Sequence, residues 1–137
     1  MASAQVGKPV SAAAKLFGEP IKDYSFKAHP TKIYLKDGLQ IQLSYKDGIV
    51  DGAVYSVAAI TSGGRQPITP SKLREIYKWN GFAEDELVPL RFKDFPALNG
   101  IYKKTKDSKL LVVNDKTKNL ITISDFSSYM KYLQSLK

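Results

Sequence analysis

KIYLKDGLQIQLSYKDGIVDGAVYSVAAI, residues 32–60, contains three strand-like runs joined by two tight turns. Tyr34 and Leu35 lead into Asp37-Gly38. Leu39, Ile41 and Leu43 then alternate with Gln40, Gln42 and Ser44. Asp47-Gly48 follows, and a third run from Ile49 to Ile60 carries Val54, Tyr55 and Val57. Asp-Gly flanked by alternating apolar residues is a strong hairpin signal, because glycine readily takes the positive φ that two-residue turns need. The stretch predicts an antiparallel meander with one apolar face that other elements must cover.

Those elements are legible on either side. Residues 8–17 predict a short helix, with Val10, Ala13, Ala14 and Phe17 on one face, Gly18 as its stop and Pro20 barring continuation. Tyr24 to Ala28 reads as an extended lead-in. After a loop beginning at Thr61, Thr69 as N-cap and Pro70 in the first turn predict a second helix over 70–80, burying Leu73, Ile76 and Tyr77 and ending at Asn80-Gly81. Within residues 82–99, Phe82 to Leu90 reads as a short helical turn or an irregular loop and Leu90-Arg91-Phe92 as a short strand. Strands return at Ile101–Lys104, Lys109–Val113 and Leu120–Ile123. A closing helix over 125–136 aligns Phe126, Tyr129, Met130, Leu133 and Leu136.

The pattern predicts an α+β fold: an antiparallel sheet of five to seven strands with two or three short helices, in one domain spanning 1–137. The order α-βββ then α-ββ(β)-α suggests half-repeats at 7–60 and 69–124. KLFGEP is echoed by YKWNGF, and IYLK at 33–36 by IYKK at 101–104. Two such units sharing a sheet would hold their helices on one face and leave the other partly open, which an antiparallel sheet permits.

GKPVSAAAKLFGEP (7–20) followed by the Tyr-rich meander resembles small exported α/β domains of the SmpA/OmlA (BamE-like) type. The tandem form of that arrangement is similar to the beta-lactamase-inhibitor-protein fold. The resemblance covers residues 7–60, and Gly18-Glu19-Pro20 is its most specific part. Lipoproteins of the former family carry a lipid-bearing cysteine and this chain has none, so membrane anchoring is not carried over. The resemblance implies a non-catalytic module that works through protein contacts.

Composition narrows the chemistry. With no cysteine and one histidine, disulfides, thiolate nucleophiles and the usual zinc ligand sets are excluded. No run is long and apolar enough to span a membrane. Ala2-Ser3-Ala4 has the form that precedes a signal-peptidase cut, which would make Gln5 the first mature residue; the rival reading is a cloning scar. The former predicts a periplasmic or secreted protein. The 21 Lys+Arg against 13 Asp+Glu give a net charge of +8, which suits either an anionic partner or a scattered, solvated basic surface.

No catalytic constellation emerges. His29 beside Pro30 reads as a solvated loop residue, and Glu84, Asp85 and Glu86 as an acidic patch rather than a glycosidase pair. Asp47 and Asp51 belong to a hairpin and are too few for a calcium site. Ser62-Gly63-Gly64-Arg65 lacks the lysine and spacing of a phosphate-binding P-loop and reads as a connector. No cofactor or metal is expected, and no enzyme. Arg74 and Lys78 share the outer side of the second helix, and Trp79 lies about 110° from its buried stripe, either at the core boundary or exposed as a binding hot spot. Tyr102, Lys103 and Lys104, with Lys106, Lys109, Lys116 and Lys118, read either as turn and edge lysines that deter aggregation or as a platform for a polyanion.

The resulting expectation is an exported protein-interaction module of inhibitor or assembly-factor type. Its surface would comprise the open sheet face and the 62–79 region, with Arg65, Arg74, Lys78, Trp79, Tyr102, Lys103 and Lys104 as candidate contacts. The alternative is a basic nucleic-acid-binding protein that uses the Lys-rich strands.

Overall fold

Both Asp-Gly pairs form two-residue turns. Asp37 (φ 52°) and Gly38 (φ 79°), like Asp47 (φ 54°) and Gly48 (φ 78°), are left-handed at both central positions, the geometry whose twist matches that of the flanking strands. The computed structural model describes residues 6–24, 30–58, 60–61, 64–90, 101–115 and 118–135.

A 3₁₀ turn (Val10–Ala12) runs into α1 (Ala13–Phe17). Four strands follow: β1 (Lys22–Asp23), β2 (Thr31–Lys36), β3 (Leu39–Lys46) and β4 (Ile49–Val57). A separate small hairpin, β5 (Ile60–Thr61) with β6 (Gly64–Arg65), leads to α2 (Pro70–Trp79). Thr69 caps α2 as expected, its Oγ1 accepting from the Lys72 N–H at 3.3 Å. A second 3₁₀ turn (Glu84–Glu86) precedes β7 (Leu87–Leu90), β8 (Ile101–Thr105), β9 (Leu110–Asp115), β10 (Leu120–Asp125) and α3 (Phe126–Ser135).

The fold is α+β, with one antiparallel sheet of eight strands in the order β1-β2-β3-β4-β10-β9-β8-β7. That exceeds the expected five to seven because β1 is too short to show alternation; the short strand expected at Leu90-Arg91-Phe92 overlaps β7, with Pro89 within it, at Leu90, and Arg91 and Phe92 lie outside the described residues. Proline is tolerated in β7 because that strand lies at the sheet edge. β1 ends just before the extended lead-in expected at Tyr24 to Ala28, of which residues 25–28 lie outside the described residues. On either side of the β4–β10 seam the strands run outward in corresponding order, each set preceded by its own helix.

Cross-strand register assigns every side chain to a face. Tyr34, Ile41, Tyr55 and Ile121 form one row, and Leu43, Ala53, Ile123 and Val112 another. All eight are buried beneath α1 and α2. Each large apolar side chain so covered contributes about 1.5–3 kcal/mol. The IYLK/IYKK echo does not keep this register. Tyr34 faces α1 and α2, whereas Tyr102 is paired with Val113 on the opposite face. A one-residue offset reverses every side chain.

The helices do not all share one face. Leu111 points away from α1 and α2 yet is fully buried, and the Lys104 Nζ on the same side lies 5.8 Å from the Phe126 ring centroid. α3 therefore covers the reverse side of β8 and β9. The amphipathic stripe predicted that α3 packs, but carried no information about which face it packs on. Phe126 and Met130 are half-buried; the Tyr129 and Leu133 side chains and Leu136 lie outside what is described.

Candidate functional surface

α3 follows directly from β10 and packs toward β9 and the Lys104 side of β8, and among the described residues no helix covers the reverse side of β2, β3 and β4 or the remainder of β10. One row crosses the whole sheet on this side: Lys22, Ile33, Gln42, Val54, Thr122, Val113, Tyr102 and Leu90. Beside it lie Thr31, Ser44, Gly52 and Ser124 in one direction and Leu35, Gln40 and Ser56 in the other. Over the four uncovered strands these positions carry no charge, and they mix amides and hydroxyls with Ile33, Val54 and Leu35. Leu35 is 47% exposed.

The margins of this face are fixed by side-chain hydrogen bonds. The Ser44 hydroxyl donates to Asp51 Oδ1 at 2.9 Å. A Cβ on Gly52 would stand 3.0 Å from that hydroxyl, so this spot of the strand admits only a small residue. At the other end Arg65 Nη1 donates to Ser56 Oγ at 2.6 Å, and Asn119 Nδ2 donates to the Arg65 carbonyl at 2.7 Å. The β5–β6 hairpin is thereby tied over the upper border of the face. Of the expected contacts, Arg65 sits at this border.

The other expected contacts are dispersed. Arg74 and Lys78 are exposed on the outer side of α2, across the sheet from the open face. Trp79 is 6% exposed, packed against Phe17 and Tyr55, so the hot-spot alternative is corrected to a core role. Tyr102 is buried on the α3 side. Lys103 and Lys104 point to opposite faces, as neighbours in a strand must. Lys104 is also committed: its Nζ donates to Ser108 Oγ at 2.5 Å. Lys106 and Lys109 belong to the β8–β9 turn and Lys118 to the turn at the other end of β9. These lysines form no continuous platform among the described residues; Lys116, His29, Ser62 and Gly63 lie outside them.

Ile33, Leu35 and Val54 are not among the expected contacts. Their signal was present: they are apolar residues out of phase with the buried positions of their own strands. Among the described residues no group of three or more His, Cys, Asp or Glu is placed to hold a metal ion. No helix among them is long and apolar enough to cross a membrane.

No family model matches the chain, and no curated protein matches it. Among solved structures, the fold is similar to that of a cysteine-rich secretory protein from Staphylococcus aureus, with a TM-score of 0.53 and 9% identity over 90% of this chain and 46% of that one. It is also similar to an extracellular protein containing an SCP domain from Bacillus anthracis, with a TM-score of 0.54 and 12% identity over 92% of this chain and 46% of that one. The chain thus spans about half the length of these solved chains. At such identities the likeness concerns the fold alone.

Proposed function

We propose that the chain is a non-catalytic, exported module that binds another protein through the uncovered face of β2, β3, β4 and β10, bordered by Arg65. The observation that carries this reading is the mixed composition of that face, whose central positions on β2, β3, β4 and β10 are uncharged. Cores of protein–protein interfaces are depleted in charge and combine apolar area with hydrogen-bonding groups. A polyanion site needs the reverse, a concentration of cations that releases counterions. Export is supported by the two structural neighbours, one a secretory and the other an extracellular protein.

Photo-crosslinking tests the surface. A crosslinking residue at Gln42, incubated with the secreted fraction of the source organism, should capture a discrete protein, whereas one at Arg74 should not. Capture should persist after nuclease treatment and between about 50 and 300 mM salt, a range over which long-range charge attraction is screened. Capture from Arg74 alone, or loss of capture with nuclease, would overturn the assignment.

A further inference from the structure

A cavity of about 550 Å³ lies at the opposite end of the sheet from Arg65, where the segment beginning at Val6, the end of α2 and the β8–β9 turn converge. It takes no part in the open face. Val6, Phe82 and Leu110 give it apolar walls, and Asn80, 2% exposed, forms part of its lining. Asn80 Nδ2 donates to the Tyr55 hydroxyl and to the Ile76 carbonyl, both at 2.9 Å, while its Oδ1 is buried with no partner among the described residues. Such an exception in a native core calls for an explanation.

The rim carries both signs of charge in an unequal state of engagement. Three carboxylates are each held through one oxygen. Glu86 Oε1 accepts from the Ala83 N–H at 3.3 Å, Asp107 Oδ1 from Thr105 Oγ1 at 2.6 Å and the Lys109 N–H at 3.1 Å, and Asp125 Oδ2 from Ser128 N–H and Oγ at 2.9 Å. The second oxygens of Glu86 and Asp125 are left available among the described residues. The ammonium groups of Lys8 and Lys106, also on the rim, have no hydrogen-bond or ion-pair partner there, and that of Lys109 makes no direct bond but acts through its charge on Asp107. Backbone hydrogen bonds fix the frame: Gly7 N–H to Val50 O at 2.7 Å, Lys106 N–H to Glu86 O at 3.0 Å and Phe126 N–H to Lys109 O at 2.9 Å. Volume, an apolar floor and a preformed frame are attributes of a small-molecule site, and the charged rim selects for a charged one.

We propose that this cavity binds a zwitterionic α-amino acid with an apolar side chain. Its carboxylate meets the free lysine ammoniums, its ammonium the uncommitted carboxylate oxygens, and its side chain the walls of Val6, Phe82 and Leu110. An anion alone would leave the carboxylates facing it, and a cation alone would leave the lysines.

Amide shifts of labelled protein during titration with L-leucine, 4-methylpentanoate and 3-methylbutylamine at matched ionic strength test this directly. The second probe lacks the ammonium and the third the carboxylate. Leucine should shift Gly81, Phe82, Lys106 and Leu110 saturably, and each analogue should bind about tenfold more weakly, the usual loss when a charged hydrogen-bonding group is removed. The exposed variants Lys106→Gln and Lys109→Gln should weaken leucine binding while leaving the remaining spectrum unchanged. Absence of a saturable shift at these amides up to the solubility of leucine, equal binding of all three probes, or leucine binding unaltered in both variants would each overturn the proposal.

Discussion

Phe17 and Trp79, the last residues of α1 and α2, meet edge to face with ring centroids 5.0 Å apart and planes at 81°. Each also packs on a strand tyrosine, Phe17 on Tyr34 at 5.7 Å and Trp79 on Tyr55 at 6.2 Å. The four rings lock the two helices to each other and to the sheet. Trp79→Ala should cost about 3–5 kcal/mol, as truncation of a large buried aromatic does. Urea unfolding of Phe17→Ala, Trp79→Ala and the double variant should yield a coupling of about 0.5–1.5 kcal/mol for the ring pair. Strict additivity would show that the rings act independently.

Alkaline pH should destabilise the protein through Tyr55 and Tyr77. Burial pushes the Tyr55 hydroxyl well above its ordinary value, partly offset by the hydrogen bond from Asn80. Burial, and secondarily the charge of Glu84, pushes Tyr77 up to about 12. Both groups keep their protons in the folded state at pH values where the unfolded chain has released them. Their contribution is complete below the ordinary tyrosine value near 10 and is lost as pH rises through the folded value. Each should add a slope of up to about 1.4 kcal/mol per pH unit above pH 10. Urea midpoints measured from pH 9 upward should show Tyr55→Phe with a shallower decline than the parent.

Changes on the open face should separate binding from stability. Leu35→Gln removes an exposed side chain and should alter unfolding free energy by no more than about 0.5 kcal/mol. Crosslinking from Gln42 should nevertheless fall severalfold. Unaltered capture would exclude Leu35 from the interface.

The turn glycines should be intolerant for a purely backbone reason. Nothing lies within 4 Å of a Cβ built on Gly48, so space is not limiting there. Its φ of 78° is. Gly48→Ala should cost about 1–2 kcal/mol, the penalty of a left-handed conformation for an L-residue, measurable as a lowered urea midpoint at unchanged slope.

The elements with strong local codes were legible in the sequence. Asp37-Gly38 and Asp47-Gly48 announce their turns, Leu39, Ile41 and Leu43 their buried face, and Thr69-Pro70 the start of α2. Features decided by tertiary context were not. β1, β5 and β6 are two residues each, too short for a period to show. Trp79 stands off the central stripe of α2, yet Phe17 and Tyr55 reach around to bury it. The opposite orientation of Lys103 and Lys104 follows from strand pleat alone and was available to sequence reasoning, whereas the side on which α3 settles was not. The candidate surface is partly legible: the antiparallel pattern allows an open face, and Ile33, Leu35 and Val54 lie out of phase with their buried neighbours, whereas the basic residues that composition draws attention to lie elsewhere.

All pairings in the large sheet except one join strands that follow each other in the chain. The exception is the seam, where Ala53 stands opposite Ile123, about seventy residues away in sequence. Closing a loop costs entropy that grows with its length and must be met before the contacts it enables can repay it. Hairpins on each side can zip from their turns at little cost, so the search that limits assembly is concentrated in a single closure, the docking of β10 on β4.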